Sequence, residues 1–141
     1  MNLILCVGNS YSLSFNNRRL SKDRAVYERI DLLREDAALW MDNYTYKSFS
    51  RYQPKEIPII SDSCLIDAPT GSYVLCDKLD VSLEKIIERI ESLYIFQWNR
   101  DYPFDKAIDL TQLSSWERKV ISEFKGFSHE RITLEQWRKN P

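Results

Sequence analysis

One histidine, three cysteines and three glycines bound the chemistry of this chain before any fold is considered. His129 stands alone, which excludes His-x-His-x-Asp-His metallonucleases, H-E-x-x-H zinc enzymes and every other site that needs two imidazoles. Cys6, Cys64 and Cys76 lie at no metal-ligand spacing, so no metal is expected. Cys6 and Cys76 fall inside the apolar runs LILCV and YVLC and read as buried thiols of a reducing cytoplasm. A serine–histidine–aspartate triad would have to use His129, and no Gly-x-Ser-x-Gly elbow exists to hold its serine. His129 follows Gly126-Phe127-Ser128 and reads as a hairpin-end residue rather than a catalyst. Gly8, Gly71 and Gly126 are far apart, so no loop brings several backbone N–H groups to a phosphate.

Three groups of residues remain as candidates. Asp23 stands at the start of a helical pattern, where a carboxylate is either a substrate-pairing acid or an exposed first-turn charge favoured by the helix dipole. Arg18 and Arg19, with Lys22 and Arg24, form the densest basic cluster, and guanidinium forks match phosphate or carboxylate. A solvated loop is the plainer reading of that cluster. Trp98-Asn99-Arg100-Asp101-Tyr102 follows a strand-like run, the place where open α/β sheets bind ligands. Its plainer reading is a loop packed on Trp98 and Tyr102.

The elements that must position these residues can be traced from hydropathy. Leu3-Ile4-Leu5-Cys6-Val7 is a short, continuous apolar run that suits a strand buried on both faces of a mostly parallel sheet. A polar loop through Asn16-Asn17 follows, then Ser21 as N-cap and Asp23 in the first turn of a helix with Val26, Ile30 and Leu33 on one face. Ala38-Leu39-Trp40-Met41 is again strand-like, which predicts a parallel pair with a right-handed crossover. Residues 45–49 predict a short helix, 57–61 an edge strand limited by Pro58, and 72–77 another strand. Leu83, Ile86, Ile87 and Ile90 mark the clearest helical face, and 93–96 return to strand. Trp116, Val120 and Phe124 predict one buried side of a terminal antiparallel hairpin, closed by Ile132 and Leu134 beyond Gly126.

The predicted class is therefore α/β: a single, mostly parallel sheet flanked by helices, with a C-terminal antiparallel hairpin, in one domain over residues 1–141. Twenty basic residues against 21 acidic ones give a net charge of -1, so no broad field for nucleic acid or membrane is implied. No leader and no apolar span is read, and the cytoplasm is the expected location.

That order of elements, with particular residues, resembles the dihydrofolate reductase fold. The likeness is carried by LILCV, Phe15-Asn16-Asn17, Asp23, Leu39-Trp40-Met41, and Thr45-Tyr46-Lys47-Ser48-Phe49, then by Leu93-Tyr94-Ile95 and the closing hairpin. The resemblance implies a substrate-pairing acid at Asp23 and keeps Thr45, with Tyr46 beside it, from the family's cofactor turn; Arg18, Arg19, Trp98, Asn99 and Arg100, from the clusters above, complete the expected ligand contacts. The family's cofactor turn, glycine-arginine-x-threonine, reads here as Asp42-Asn43-Tyr44-Thr45, and its glycine-glycine pair has no counterpart. Phe96 replaces the threonine that steadies the family's acid.

No cofactor is expected on these grounds. The first functional reading is a non-catalytic protein of this fold, a pseudoenzyme that binds a small, nucleotide-like molecule or a protein partner through the old cleft. The alternative is a divergent NADPH-dependent reductase of a folate- or pterin-like substrate with Asp23 as acid. A weaker one is a nucleic-acid-processing protein using Arg18 and Arg19, which the neutral charge disfavours.

Overall fold

In the computed structural model, which describes residues 1–140, the central strand β1 (Asn2–Val7) carries Leu3, Ile4, Leu5 and Val7 with no solvent exposure. A strand apolar on both faces must be covered on both, and this requirement organises the molecule. After β1 come β2 (Ser12–Phe15), β3 (Arg18–Arg19), α1 (Arg24–Arg34), β4 (Leu39–Met41), α2 (Asn43–Phe49) and β5 (Ile59–Ile60). Then follow α3 (Cys64–Asp67), β6 (Tyr73–Leu75), α4 (Leu83–Ile86), β7 (Ser92–Gln97), β8 (Lys106–Ala107), β9 (Trp116–Phe124) and β10 (Ile132–Lys139).

The main sheet has the order β5-β4-β6-β1-β7-β10-β9. Strands β5, β4, β6, β1 and β7 are mutually parallel, and β10 runs antiparallel to both β7 and β9. Even-numbered Ile4 and Phe96 face Val26 and Ile30 of α1, while odd-numbered Leu3, Leu5, Leu93 and Ile95 face Leu83 and Ile86 of α4. The sheet is thus a wall between two cores, the arrangement expected from the sequence.

Four local expectations are corrected. The strands β1 and β4 are not neighbours, because β6 lies between them, so the first strand–helix–strand unit spans a gap that the chain fills later. Asp23, not Ser21, is the N-cap of α1: its carboxylate accepts the Ala25 N–H. The helix predicted over 83–90 is a single α turn continued by a 3-10 turn, Ile87–Arg89. The polar loop around Asn16-Asn17 is a hairpin, β2–β3, which pairs with β8 in a second, three-stranded sheet. Asn16 and Asn17 take positive φ, 50° and 61°, as a two-residue hairpin turn requires.

The terminal hairpin departs from its predicted pattern for a definite reason. A bulge at Leu134/Glu135 pairs Glu135 with Val120 but Leu134 with Ser122, leaving Ile121 over. One extra residue reverses the facing of everything beyond it. Trp116 therefore packs into the α4-side core and Phe124 into the α1-side core, and Val120 between them is exposed.

Candidate functional site

From the adjacent strands β1 and β6 the chain leaves in opposite directions at the carboxyl edge of the sheet, β1 through α1 on one face toward β4 and β6 through α4 on the other toward β7. In open α/β sheets this switch point is where ligands are held. Three loops meet there: the turn after β1, residues 76–82 after β6, and residues 98–105 after β7.

The first cluster is built around Asp23, whose side chain is fully buried at the N-terminus of α1. Its Oδ1 accepts from the backbone N–H groups of Ala25 (2.9 Å) and Phe127 (3.0 Å). Its Oδ2 accepts from Ser128 N (2.9 Å), Ser128 Oγ (3.1 Å) and His129 Nδ1 (2.9 Å). Burial pushes this carboxyl upward, but the bonds from His129, Phe127, Ser128 and Ala25 outweigh it and hold Asp23 well below the usual carboxylate range. The loop between β9 and β10 comes this close because Gly126 has no Cβ: one would meet the Asp23 carboxylate and lie 2.8 Å from Ile132 Cδ1.

His129 is buried and stacked on Trp98, with ring centroids 4.4 Å apart. Nδ1 faces Asp23, and Nε2 lies 3.0 Å from both Ser21 Oγ and Tyr102 OH; in the tautomer that donates Nδ1–H to Asp23, Nε2 accepts from these hydroxyls. Ser21, His129 and Asp23 thus stand in the order of an acyl-transfer triad, although no nucleophile elbow holds the serine. Tyr102 shares Nε2 with Ser21, and Trp98 covers the ring. The cluster acts as a latch between α1, the loop after β7 and the terminal hairpin.

The second cluster fills the edge between β6 and α2. Arg19 donates through Nε to Asp77 at 2.7 Å, reaches the Tyr44 carbonyl, and lies over the Tyr44 ring at 4.4 Å. Burial raises Asp77 to about 6, against the pull of Arg19. Thr45, fully buried, accepts the Asp77 N–H through Oγ1. Arg19 is thus tied into the fold, whereas Arg18 is exposed on β3. Tyr46 is half-buried against the α1-side core.

The third cluster is the loop after β7. Trp98 is buried under His129, Asn99 takes φ 57° and donates to Arg131 O and Thr133 Oγ1, and Arg100 donates to Ser128 O. Together with Glu130 and Arg131, these three residues line a cavity of about 590 Å³. A neighbouring cavity of about 350 Å³ shares Asn99 and Arg131. At its base Glu135, buried in β10, accepts from Tyr11 OH (3.0 Å), Arg118 (2.6 Å) and Trp137 Nε1 (3.1 Å). Reasoning from sequence missed Glu135, Asp77, Ser21 and the pairing of His129. The lone histidine after a glycine was the one signal available.

The architecture these clusters stand on is that of dihydrofolate reductase. The dihydrofolate reductase from Enterococcus faecalis, solved with NADP(H) and RAB-propyl, superposes with a TM-score of 0.63 over 99% of this chain and 96% of that one, at 10% sequence identity. The fold is shared at an identity where little else carries over. No protein-family model matches the chain, and no curated protein does.

NADPH, which the fold family implies, does not fit the residues present. The Asp42 carboxylate already caps α2 by accepting Thr45 N–H at 2.7 Å, and Asn43 N–H is taken by Asp62. Residues 76–82, between β6 and α4, contain no glycine and place the Asp77 carboxylate close enough to Asp42 to be pushed upward by it. Asp77 is held by Arg19, and the Asp42 carboxylate, with no cation paired to it among the described residues, opposes a pyrophosphate at the N-terminus of α2.

Proposed function

We propose that this chain is a non-catalytic protein of dihydrofolate-reductase-like fold that binds a small molecule, or a protein partner, at the carboxyl edge of its sheet. One observation carries the reading. The acid expected to pair with substrate, Asp23, spends both oxygens on five internal hydrogen bonds and has no face left for a pterin. The occupied N-terminus of α2 and the Arg19–Asp77 pair support the same conclusion for the cofactor side. The linked cavities around Asn99 and Arg131 leave room for a ligand. Cys6, Cys64 and Cys76 are free thiols, in keeping with a cytoplasmic protein, and no helix among the described residues is long and apolar enough to cross a membrane.

The test is titration with NADPH and NADH while tryptophan fluorescence is followed, together with a dihydrofolate reduction assay. Trp98, buried beside the latch, is the reporter. The expected result is no micromolar quenching and no dihydrofolate-dependent oxidation of NADPH. Saturable binding with turnover would overturn the reading in favour of a reductase.

A further inference from the structure

Strand β9 ends the main sheet and, among the described residues, pairs with β10 on one side only. The opposite edge, β5, is two residues long and preceded by Pro58, features that discourage further pairing. By contrast β9 runs for nine residues without a proline, and Glu117, Arg118, Lys119, Val120 and Ile121 are all exposed.

The bulge gives this edge a symmetry that a regular strand lacks. Before it, the Asn140 N–H donates to Ser115 O beside the Trp116–Lys139 pair. The main-chain groups of 115, 117 and 119 therefore face β10, and those of Trp116, Arg118 and Val120 face solvent. After it, Leu134 pairs with Ser122 and Ile132 with Phe124, so Glu123 has its main chain toward solvent. Side chains reverse in step. Thr133, Glu135 and Trp137 lie on one face of β10, and their partners Glu123, Val120 and Arg118 share it.

A second copy related by a two-fold axis must oppose residues of the same face and the same main-chain direction. In a regular strand only residues an even number of positions apart qualify. The extra residue makes Arg118 and Glu123 such a pair. Pairing about Val120 and Ile121 then sets Arg118 against Glu123 on both sides of the axis, Lys119 against Ser122 and Glu117 against Phe124. No like charges are opposed. Arg118 gives one amino group to Glu135, while Glu123 takes a bond of 3.3 Å from Thr133 and joins no ion pair among the described residues. Both keep capacity for a partner.

We infer that two copies of this chain pair antiparallel through β9, joining their sheets, with Val120 and Ile121 at the axis and reciprocal Arg118–Glu123 pairs beside it. The contact is isologous, so assembly closes at a dimer and leaves the short β5 edges outside. The inference is independent of what the cavities hold.

Sedimentation equilibrium of the intact chain tests it. Edge pairing around a small apolar centre belongs to the weak class of interface, so the dimer should predominate at about 0.1 mM and dissociate on dilution. Glu123→Arg sets arginine against Arg118 and should weaken the dimer about tenfold. Ile121→Lys, which brings two lysines to the axis, should do the same. Both positions are exposed, and the circular dichroism of the variants should match wild type. Amide hydrogen exchange in the unaltered chain reads the register directly. The N–H groups of Arg118 and Glu123 should slow as concentration rises, whereas that of Lys119, already facing β10, should change little. A monomer at every concentration up to about 0.5 mM would overturn the inference. So would assembly beyond a dimer, a dimer indifferent to both substitutions, or one in which Arg118 and Glu123 exchange as fast as in the monomer.

Discussion

Replacing Asp23 by asparagine is the sharpest test of the latch. The amide keeps one oxygen, which can go on accepting from Ala25 N and Phe127 N. Its NH2 then occupies the place of Oδ2, facing the Ser128 N–H and the His129 Nδ1–H, two donors at 2.9 Å. A change of histidine tautomer relieves one conflict by turning Nε2–H toward Ser21 or Tyr102, and the Ser128 hydroxyl can rotate to relieve another. The Ser128 N–H keeps no acceptor. Hydrogen bonds to a charged group contribute about 1.5–3 kcal/mol each, so after this partial rescue the expected loss is about 2–3 kcal/mol. Alanine, which strips every partner and leaves buried His129 alone, should cost about 3–5 kcal/mol. At about 2.1 cal/mol/K per residue of unfolding entropy, the asparagine loss corresponds to a fall of about 7–10 °C in Tm.

Urea denaturation at pH 7 measures the asparagine loss, and repeating it at low pH tests the cause. The Asp23 carboxyl lies lower in the folded chain than in the unfolded one, so its stabilisation is present above the unfolded value, about 3.9, and is lost as pH falls toward the folded one. The gap between wild type and Asp23→Asn should therefore narrow below about pH 4. A loss under about 0.5 kcal/mol at pH 7, the size of an ordinary surface change, would refute the reasoning.

Three further predictions follow from packing and charge. Gly126→Ala forces a Cβ against the Asp23 carboxylate and Ile132, and should cost about 1–3 kcal/mol, with a weakened near-ultraviolet signal from Trp98. Ile30→Ala, emptying a fully buried site in the α1-side core, should cost about 2–5 kcal/mol, whereas Val120→Ala, on the exposed side of the bulge, should stay within about 0.5 kcal/mol by the same denaturation assay. Asp77 behaves oppositely to Asp23: raised to about 6 in the fold, it takes up its proton more readily folded than unfolded. The stability of wild type relative to Asp77→Asn should therefore rise as pH is lowered from about 7 to 4, a trend that paired denaturation curves would show directly.

The sheet was largely legible because its signals are local. The unbroken apolar run of β1 reports burial on both faces, and the spacing of Val26 and Ile30 reports one face of α1. Asn16-Asn17 carried a hairpin signal that was read as loop, and its φ values show the residue types were suited to the turn. The helix over 83–90 failed for a different reason. Its apolar spacing is met as well by one α turn and a 3-10 turn, which bring Ile90 into the core and start β7 at Ser92.

What the sequence determined alone was the periodic part: which stretches alternate, which repeat every three to four residues, and hence an α/β sheet with an antiparallel close. What only the tertiary structure decided was the partnership of polar groups. Asp23 meets His129 across 106 residues and Arg19 meets Asp77 across 58, and no repeat along the chain encodes either pair. The bulge at Leu134/Glu135 belongs with them, since an unpaired Ile121 exists only when β10 is alongside. Apolar burial is set residue by residue through the period of the local element. A buried carboxylate is stable only where donors from distant segments converge on it, so its role depends on the whole fold.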